Sequence, residues 1–112
     1  MDSRQKDIFS AFLDPVIGSE QGGYRPIVII SGDFMNNNSS LRIICPITST
    51  IRNYPGSITL SPTDTNGIKN VSEILVSQVK TLSGERLKKK LGKITDEQLE
   101  QIFFELNDVL RL

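Results

Sequence analysis

The chain alternates between short apolar runs and polar stretches rich in glycine, asparagine, serine and threonine, a pattern typical of a protein built mainly from short β-strands. The clearest apolar runs predict strands at 8–12, 25–31 and 41–47, and shorter β-rich runs follow at 57–60 and 71–82. The second and third runs are almost continuously apolar, so we expect those strands to be buried on both faces. Pro46 suggests that the third strand ends or bulges near this position.

Polar stretches separate the first three predicted strands. The glycine-bearing stretch 15–24 and the Asn-Asn-Asn-Ser-Ser stretch within 32–40 are both predicted to be loops. The first is longer than the roughly two to five residues usual for a hairpin connection, and long loops in compact domains are often functional. We therefore look for functional residues in the stretch 15–24.

Helix signals are confined to the C-terminal third of the chain. Ser83 is placed to cap a short helix that would run to Leu91 and stop at Gly92. Thr95 and Gln98 have the spacing of a capping box and predict the start of a second helix. One face of that helix is apolar at helical spacing and should pack in the core, through Leu99, Ile102, Phe103, Leu106 and Leu110.

Strands followed by helices favour a mainly β fold, a small curved barrel with a helix appended at its C-terminal end. The 112 residues are enough for one domain, spanning 1–112. A chain of this length buries only about two-thirds of its unfolded surface, so a dimer interface would cover more apolar area. Phe104 falls on the polar side of the last helix, as an ordinary exposed aromatic or the mark of a protein contact.

Composition excludes several classes of chemistry. The chain has no histidine and one cysteine, which removes Ser-His-Asp and Cys-His mechanisms and makes a zinc site improbable. We expect no metal site and no cofactor. Cys45 lies in an apolar run, which favours a small buried hydrophobe over a reactive thiol. No apolar run is long enough to span a membrane, and the polar start 1–7 is unlike a signal peptide.

Charge is balanced overall but segregated along the chain. Thirteen basic and thirteen acidic residues give a formal net charge of zero, which argues against non-specific duplex binding. Basic residues concentrate in 80–93, whereas acidic residues follow in 96–108, so a local basic patch is still available for RNA. The run Lys88-Lys89-Lys90 is interpreted as a solvated face rather than a phosphate-binding track.

Two polar groups stand at predicted strand ends where they could contact a phosphate. The guanidinium of Arg25 matches phosphate geometry and carries a permanent charge, although an arginine that only fixes the loop has the same pattern. Thr48 offers a hydroxyl at a strand end, although a turn-forming threonine is equally well placed. Glu20 is a candidate general base, a holder of Arg25, or a solvated loop residue.

Several motifs in this order resemble the MazF/PemK toxins, the mRNA interferases of type II toxin–antitoxin systems, and the resemblance covers nearly the whole chain. The matching pieces are Gly18-Ser19-Glu20-Gln21-Gly22-Gly23-Tyr24-Arg25-Pro26, Pro46-Ile47-Thr48-Ser49, Gln78-Val79-Lys80-Thr81 and Arg86-Leu87-Lys88-Lys89-Lys90-Leu91-Gly92. Each piece is weak alone, but their order and spacing together make a strong match.

The resemblance implies an SH3-like barrel of the MazF/CcdB type that forms a homodimer. It also implies a cytoplasmic, metal-independent and sequence-specific endoribonuclease that cleaves single-stranded mRNA and is silenced by a cognate antitoxin. Attack by the ribose 2′-OH would leave a 2′,3′-cyclic phosphate and a 5′-hydroxyl. In this family's pattern the catalytic candidates are Arg25, Thr48 and Glu20, and the RNA-binding candidates are Ser19, Gln21, Gly22, Ser49 and Gln78, with the stretch 36–38 as a possible addition.

One branch of the family has site residues that this chain lacks. The plasmid Kid/PemK branch uses a loop histidine and an aspartate before the Gln-x-Lys/Arg-Thr piece, whereas this chain has no histidine and carries Ser77 there. The proton-transfer roles of that branch therefore do not carry over.

Two other functions stay open besides the endoribonuclease. A non-enzymatic gyrase poison of the CcdB type would share the fold, but those poisons use a C-terminal contact that contains a tryptophan, and this chain has none. An inactive binding domain is a third interpretation.

Overall fold

A computed structural model describes residues 2–14, 18, 20 and 22–112 of the chain. The main element is an antiparallel β-sheet, accompanied by one short and one long α-helix. The strands are β1 (Asp7–Phe12), β2 (Tyr24–Ile29), β3 (Leu41–Thr48), β4 (Ser57–Leu60), β5 (Ser72–Leu75), β6 (Lys80–Ser83) and β7 (Leu87–Lys93), and the helices are α1 (Asp33–Asn38) and α2 (Asp96–Arg111). Short 3₁₀ turns occupy Val76–Gln78 and Gly84–Arg86.

The strand order is β4-β5-β3-β2-β1-β7, with β6 also beside β3. On one side β3 pairs with β2, and on the other it pairs first with β6 and then with β5. The change of partner falls around Pro46, which lies between the last residue paired with β6, Ile44, and the first paired with β5, Ile47. The strand therefore continues through Pro46 instead of ending there, and it ends at Thr48.

One loop connects the two ends of the strand order, which are β4 and β7. The loop 61–71 connects β4 to β5, and the backbone N–H of Lys93 in β7 donates to the carbonyl of Thr65 at 3.0 Å. Glycines permit this approach, since a Cβ on Gly67 (φ 70°) would lie 2.1 Å from the carbonyl oxygen of Leu91. Contact between this loop and β7 gives the sheet its barrel-like form, which confirms the predicted mainly β fold with a C-terminal helix.

Apolar side chains on both faces of the strands form the core. Neighbouring residues of one strand point to opposite faces, so Ile8 joins one cluster and Phe9 another, both fully buried. The same holds for Ile27 and Val28 in β2, as the continuous apolar run predicted. Cys45 is buried as well, and burial raises the pKa of its thiol to about 12. A thiol of that pKa is protonated and is not a nucleophile at neutral pH.

Helix α2 begins as predicted, but its buried face is narrower than the sequence indicated. The capping box is present, with Thr95 N–H donating to Gln98 Oε1 at 2.9 Å and Gln98 N–H donating to Thr95 Oγ1 at 3.1 Å. Leu99 and Ile102 are buried and Leu106 packs against them, whereas Phe103 is 37% and Leu110 73% exposed. Their predicted place in the core was wrong. Within the part of the chain that the structure describes, no helix is long and apolar enough to cross a membrane.

Two other sequence predictions were wrong. Ser83 caps only the 3₁₀ turn, accepting from the N–H of Glu85 at 3.2 Å, and the residues from Leu87 onward form β7 instead of a helix. The helix propensity of the lysines yields here to pairing with β1, a tertiary effect. The stretch 32–40 was predicted to be a loop but contains α1, in which the side chain of Asn36 is buried and donates to the carbonyl of Ser31 at 2.8 Å.

Candidate functional site

Arg25 lies on the exposed start of β2, opposite Ala11 of β1. Its Nε donates to the carbonyl of Gly22 at 3.0 Å, so the arginine is tied to the glycine-rich loop that precedes it. Gly23 enters the strand with φ 71°, a conformation that favours glycine. Its N–H donates to Asp14 Oδ1 at 2.9 Å and its carbonyl accepts from Leu13 at 2.9 Å. These bonds close the base of the loop and fix where Arg25 begins the strand.

Arg86 strengthens the same loop base from the other side of β1. Its guanidinium Nη1 donates to the carbonyl of Phe12 at 3.2 Å and also to the carbonyl of Asp14. The sequence motif that contains Arg86 gave no role for this residue. Its contacts make it a structural support for the loop that carries the Arg25 motif.

Thr48 is the last residue of β3 and is buried. Its Oγ1 accepts a hydrogen bond from the N–H of Thr50 at 3.1 Å, which is the turn-forming contact expected of a threonine at a strand end. Thr48 and Arg25 nevertheless line one small cleft of about 180 Å³, together with Thr50, Arg52 and Tyr54. We call it the Arg25–Thr48 cleft. The structure thus brings the two main catalytic candidates together.

The loop that forms the other wall of this cleft was not predicted from the sequence. Glu73 of β5 is 1% exposed, and its carboxylate accepts from Arg52 N–H at 2.8 Å, Asn53 N–H at 3.1 Å and Ser57 Oγ at 2.9 Å. The Arg52 N–H lowers the pKa of Glu73 most; burial opposes this shift, and Ser57 and Asn53 lower the pKa further. The sequence does contain one signal for this contact. Glu73 is an acidic residue directly before Ile74 in a predicted β-rich run, where a buried carboxylate would need hydrogen-bond donors.

A second cleft adjoins the first where loop 61–71 meets β7. Its volume is about 260 Å³, and it is lined by Arg25 and Ser49 on one side and by Lys69 and Asn70 on the other. Ser49 is exposed and lies one residue after Thr48, so a substrate bound along Arg25 could reach it. The structure therefore places the predicted RNA-binding residue Ser49 beside the catalytic candidates.

Glu20 and Gln78 lie together in a different cleft of about 220 Å³, with Pro46, Ser77 and Lys80. Glu20 is thus grouped with an RNA-binding candidate and does not line the cleft of Arg25 and Thr48. Gly22 contributes its carbonyl to Arg25, as described above. The candidates Ser19 and Gln21 lie outside the described residues.

The lysine run that was interpreted as a solvated face lines none of these three clefts. Lys88, Lys89 and Lys90 are exposed on β7, as expected of a solvated face, although that face belongs to a strand. Among residues 2–14, 18, 20 and 22–112, no group of three or more His, Cys, Asp or Glu side chains is close enough to hold a metal ion.

Comparison with known proteins supports the motif resemblance over nearly the whole chain. Residues 4–110 match the family described as PemK-like, MazF-like toxin of type II toxin–antitoxin system. Endoribonuclease MazF of Staphylococcus saprophyticus is 38% identical over 101 residues, covering 88% of this chain and 83% of that protein. Endoribonuclease EndoA of Bacillus subtilis is 33% identical over 101 residues, covering 88% and 86%.

Solved structures agree on the fold. The crystal structure of MazF from Deinococcus radiodurans superposes with a TM-score of 0.83 at 26% identity, covering 98% of this chain and 97% of that one. An endoribonuclease from Mycobacterial species, in complex with its cognate antitoxin, has a TM-score of 0.80 at 20% identity, covering 99% and 97%. With the motifs, the fold and the match over residues 4–110 in agreement, the chain belongs to the PemK-like, MazF-like toxin family of type II toxin–antitoxin systems.

Proposed function

We propose that this protein is a sequence-specific, metal-independent endoribonuclease that cleaves single-stranded mRNA in the cytoplasm as the toxin of a toxin–antitoxin pair. The observation that carries the proposal is the cleft shared by Arg25 and Thr48, which no acidic side chain of the described residues lines. Two relatives that are called endoribonucleases support it, since each aligns with most of this chain. The alternative of a CcdB-type gyrase poison gains no support from those relatives.

The proposed reaction needs no group beyond those of the protein and the RNA. The ribose 2′-oxygen attacks the adjacent phosphorus as its proton leaves, the bond from phosphorus to the 5′-oxygen breaks, and the 5′-oxygen takes up a proton. Arg25 would stabilise the negative charge that develops on the phosphoryl oxygens. Thr48 Oγ1 accepts from the N–H of Thr50, and no hydrogen bond donated by this hydroxyl is found among the described residues, so its proton could bond to a phosphate oxygen.

Glu20 and Gln78 receive a related role in this proposal. Both line the neighbouring cleft, where amide and carboxylate groups can bond to the edges of unstacked bases. This placement favours substrate contact by Glu20 over proton transfer at the phosphate held by Arg25. Ser49 and Gly22, with Ser19 and Gln21, complete the proposed RNA-binding set.

Assembly and inhibition form the second part of the proposal. We infer that the protein acts as a two-fold homodimer and that a cognate antitoxin binds it and blocks access to RNA. The complexes of related toxins with antitoxins, from Mycobacterial species and from Deinococcus radiodurans, support the partner. Exposed Phe103, Phe104 and Leu110 on α2 offer apolar surface for protein contacts.

Incubation of the pure protein with a long single-stranded RNA in EDTA tests the enzymatic proposal. We expect cleavage at a short defined sequence, with 2′,3′-cyclic phosphate or 3′-phosphate ends and 5′-hydroxyl ends. DNA of the same sequence serves as the matched control and should survive, since it lacks the 2′-OH nucleophile. Binding without cleavage, a 5′-phosphate product, or activity lost in EDTA would each reject the mechanism.

A further inference from the structure

The carboxylate of Glu73 is buried and is bonded to one loop. Placing a charge inside a protein is costly unless hydrogen bonds replace its water. Within the described part of the chain no lysine or arginine forms an ion pair with Glu73, and its partners are the N–H groups of Arg52 and Asn53 and the hydroxyl of Ser57. The charge is therefore compensated mainly by the backbone of residues 52–53, which it holds in place.

That loop contains a residue in a less common backbone conformation. Asn53 has φ 54°, in the left-handed region, which asparagine adopts more readily than most non-glycine residues. The turn that follows it is closed by the N–H of Ser57, which donates to the carbonyl of Tyr54 at 2.9 Å. The Glu73 carboxylate thus holds the peptide groups before and after the Arg52 Cα. In this way it sets the direction in which the Arg52 side chain leaves the loop.

Arg52 leaves the loop toward the Arg25–Thr48 cleft. Its side chain is exposed, and within the described residues its guanidinium has no ion-pair or hydrogen-bond partner. Arg25 lines the same cleft, so two permanent positive charges face one small polar space that, in the part of the chain the structure describes, no carboxylate lines. Such a pair suits a ligand with more than one negative charge along its length.

We propose that Arg52 binds a phosphate of the RNA backbone beside the one that Arg25 contacts, and that Glu73 is the positioning residue that presents Arg52. The inference rests on the proposed function, because it takes RNA as the ligand of the cleft. It adds a second phosphate contact and a buried support that the family motifs do not contain.

The Arg52 contact is tested by binding as well as by cleavage. A 2′-O-methyl RNA strand lacks the nucleophilic hydroxyl, so its Kd can be measured by fluorescence anisotropy without cleavage. R52A should raise Kd about tenfold and reduce the slope of log Kd against log salt by about 0.7, the value for one phosphate on a single strand. On cleavable RNA, R52A should raise KM while leaving kcat nearly unchanged, as expected of a contact made equally before and in the transition state.

R4A is the matched control, because it removes the same charge from an exposed side chain at the opposite end of the sheet. Arg4 precedes β1, whose start lies near Ile29, whereas Arg25 lies at the other end of β2. R4A should leave Kd, KM and the salt slope unchanged. An R52A protein that behaves like R4A overturns the proposed phosphate contact.

Glu73 is tested through a double-mutant cycle. E73Q keeps the shape of the side chain but removes its charge and turns an NH₂ group toward the loop donors. It should raise Kd by a factor close to that of R52A, and adding E73Q to R52A should change Kd no further. If E73Q weakens binding by the same factor with and without Arg52, Glu73 does not act through Arg52 and the positioning role is rejected.

A milder variant and one direct measurement separate this inference from stability and from the proposed function. S57A removes one hydroxyl contact to Glu73 and leaves the carboxylate and both loop N–H donors, so a folded protein with a smaller increase in Kd is expected. If E73Q is unfolded by circular dichroism, S57A replaces it in the cycle with the same criterion. If the wild-type protein binds the RNA more tightly than R52A but does not cleave it, the enzymatic proposal is rejected and the proposed Arg52 contact is retained.

Discussion

Replacing Gly92 by alanine should destabilise the protein far more than a single added methyl group suggests. Gly92 lies in β7, where loop 61–71 crosses the strand. A Cβ at this position would lie 2.2 Å from the carbonyl oxygen of Thr65 and 2.5 Å from the carbonyl carbon of Asn66. Both are backbone atoms, so no side-chain rotation relieves the overlap and the loop must move as a unit.

The size of the effect follows from what that movement would break. Overpacking costs about 1–3 kcal/mol, and loss of the bond from Lys93 N–H to the Thr65 carbonyl adds about 0.5–1.5 kcal/mol. Alanine restricts the unfolded chain and returns roughly 0.4–1 kcal/mol. We therefore expect G92A to lower the free energy of unfolding by about 2 kcal/mol, within a range of roughly 0.5–4 kcal/mol. For a domain of this size each kcal/mol corresponds to roughly 4 °C or more in Tm.

Urea unfolding followed by circular dichroism measures the change directly. G32A is the matched control, because a Cβ on Gly32 would meet no heavy atom of the described residues within 4 Å and its φ of −68° suits alanine. We expect G32A to change stability by less than about 1 kcal/mol. If G92A unfolds at the same urea concentration as G32A, contact between loop 61–71 and β7 does not hold the barrel together.

The remaining predictions concern the site, its support and assembly. R25A and T48A should each lower kcat about 10²–10³-fold with unchanged circular dichroism and Tm, and a folded variant that cleaves at the parental rate would show that its residue is not catalytic. Because loop N–H groups lower the pKa of Glu73 from its ordinary 4.5, its contribution to stability is complete above that value and is lost as the pH falls through the lower folded-state pKa. The difference in unfolding free energy between wild type and E73Q should therefore shrink below about pH 4.5. Sedimentation equilibrium at micromolar concentration should give about twice the monomer mass of 12.5 kDa, and a monomer with full activity would exclude the proposed dimer.

Most of the sheet could be predicted because its strands carry their own signals. The apolar runs that became β1, β2 and β3 are long enough to be buried on both faces, and the capping box at Thr95 and Gln98 is a local motif. The strand β7 could not be predicted in this way. Its lysines are exposed and show no alternation of apolar and polar residues. They are extended because β7 pairs with the edge of β1 that β2 does not occupy.

The site was predicted in part for a similar reason. Arg25 and Thr48 belong to motifs, and the strand ends that hold them lie together. Arg52 has no motif and depends on Glu73, which is distant in sequence and becomes its neighbour only when β5 pairs with the end of β3. Long-range hydrogen bonds of this kind leave no periodic trace in a sequence.

One pairing in the sheet sets the position of both halves of the site. Thr48 at the end of β3 lies directly opposite Glu73 of β5. A shift of either strand by one residue would turn that strand's side chains to the other face of the sheet, so Thr48 and Glu73 would no longer lie side by side. Insertions and deletions within 44–48 or 72–75 should therefore abolish the proposed activity, whereas changes of length at the exposed tip of the stretch 32–40 leave this register intact. Under the proposed function, a change of cleavage specificity would have to come from substitutions and loop changes that leave the pairing of Thr48 with Glu73 unchanged.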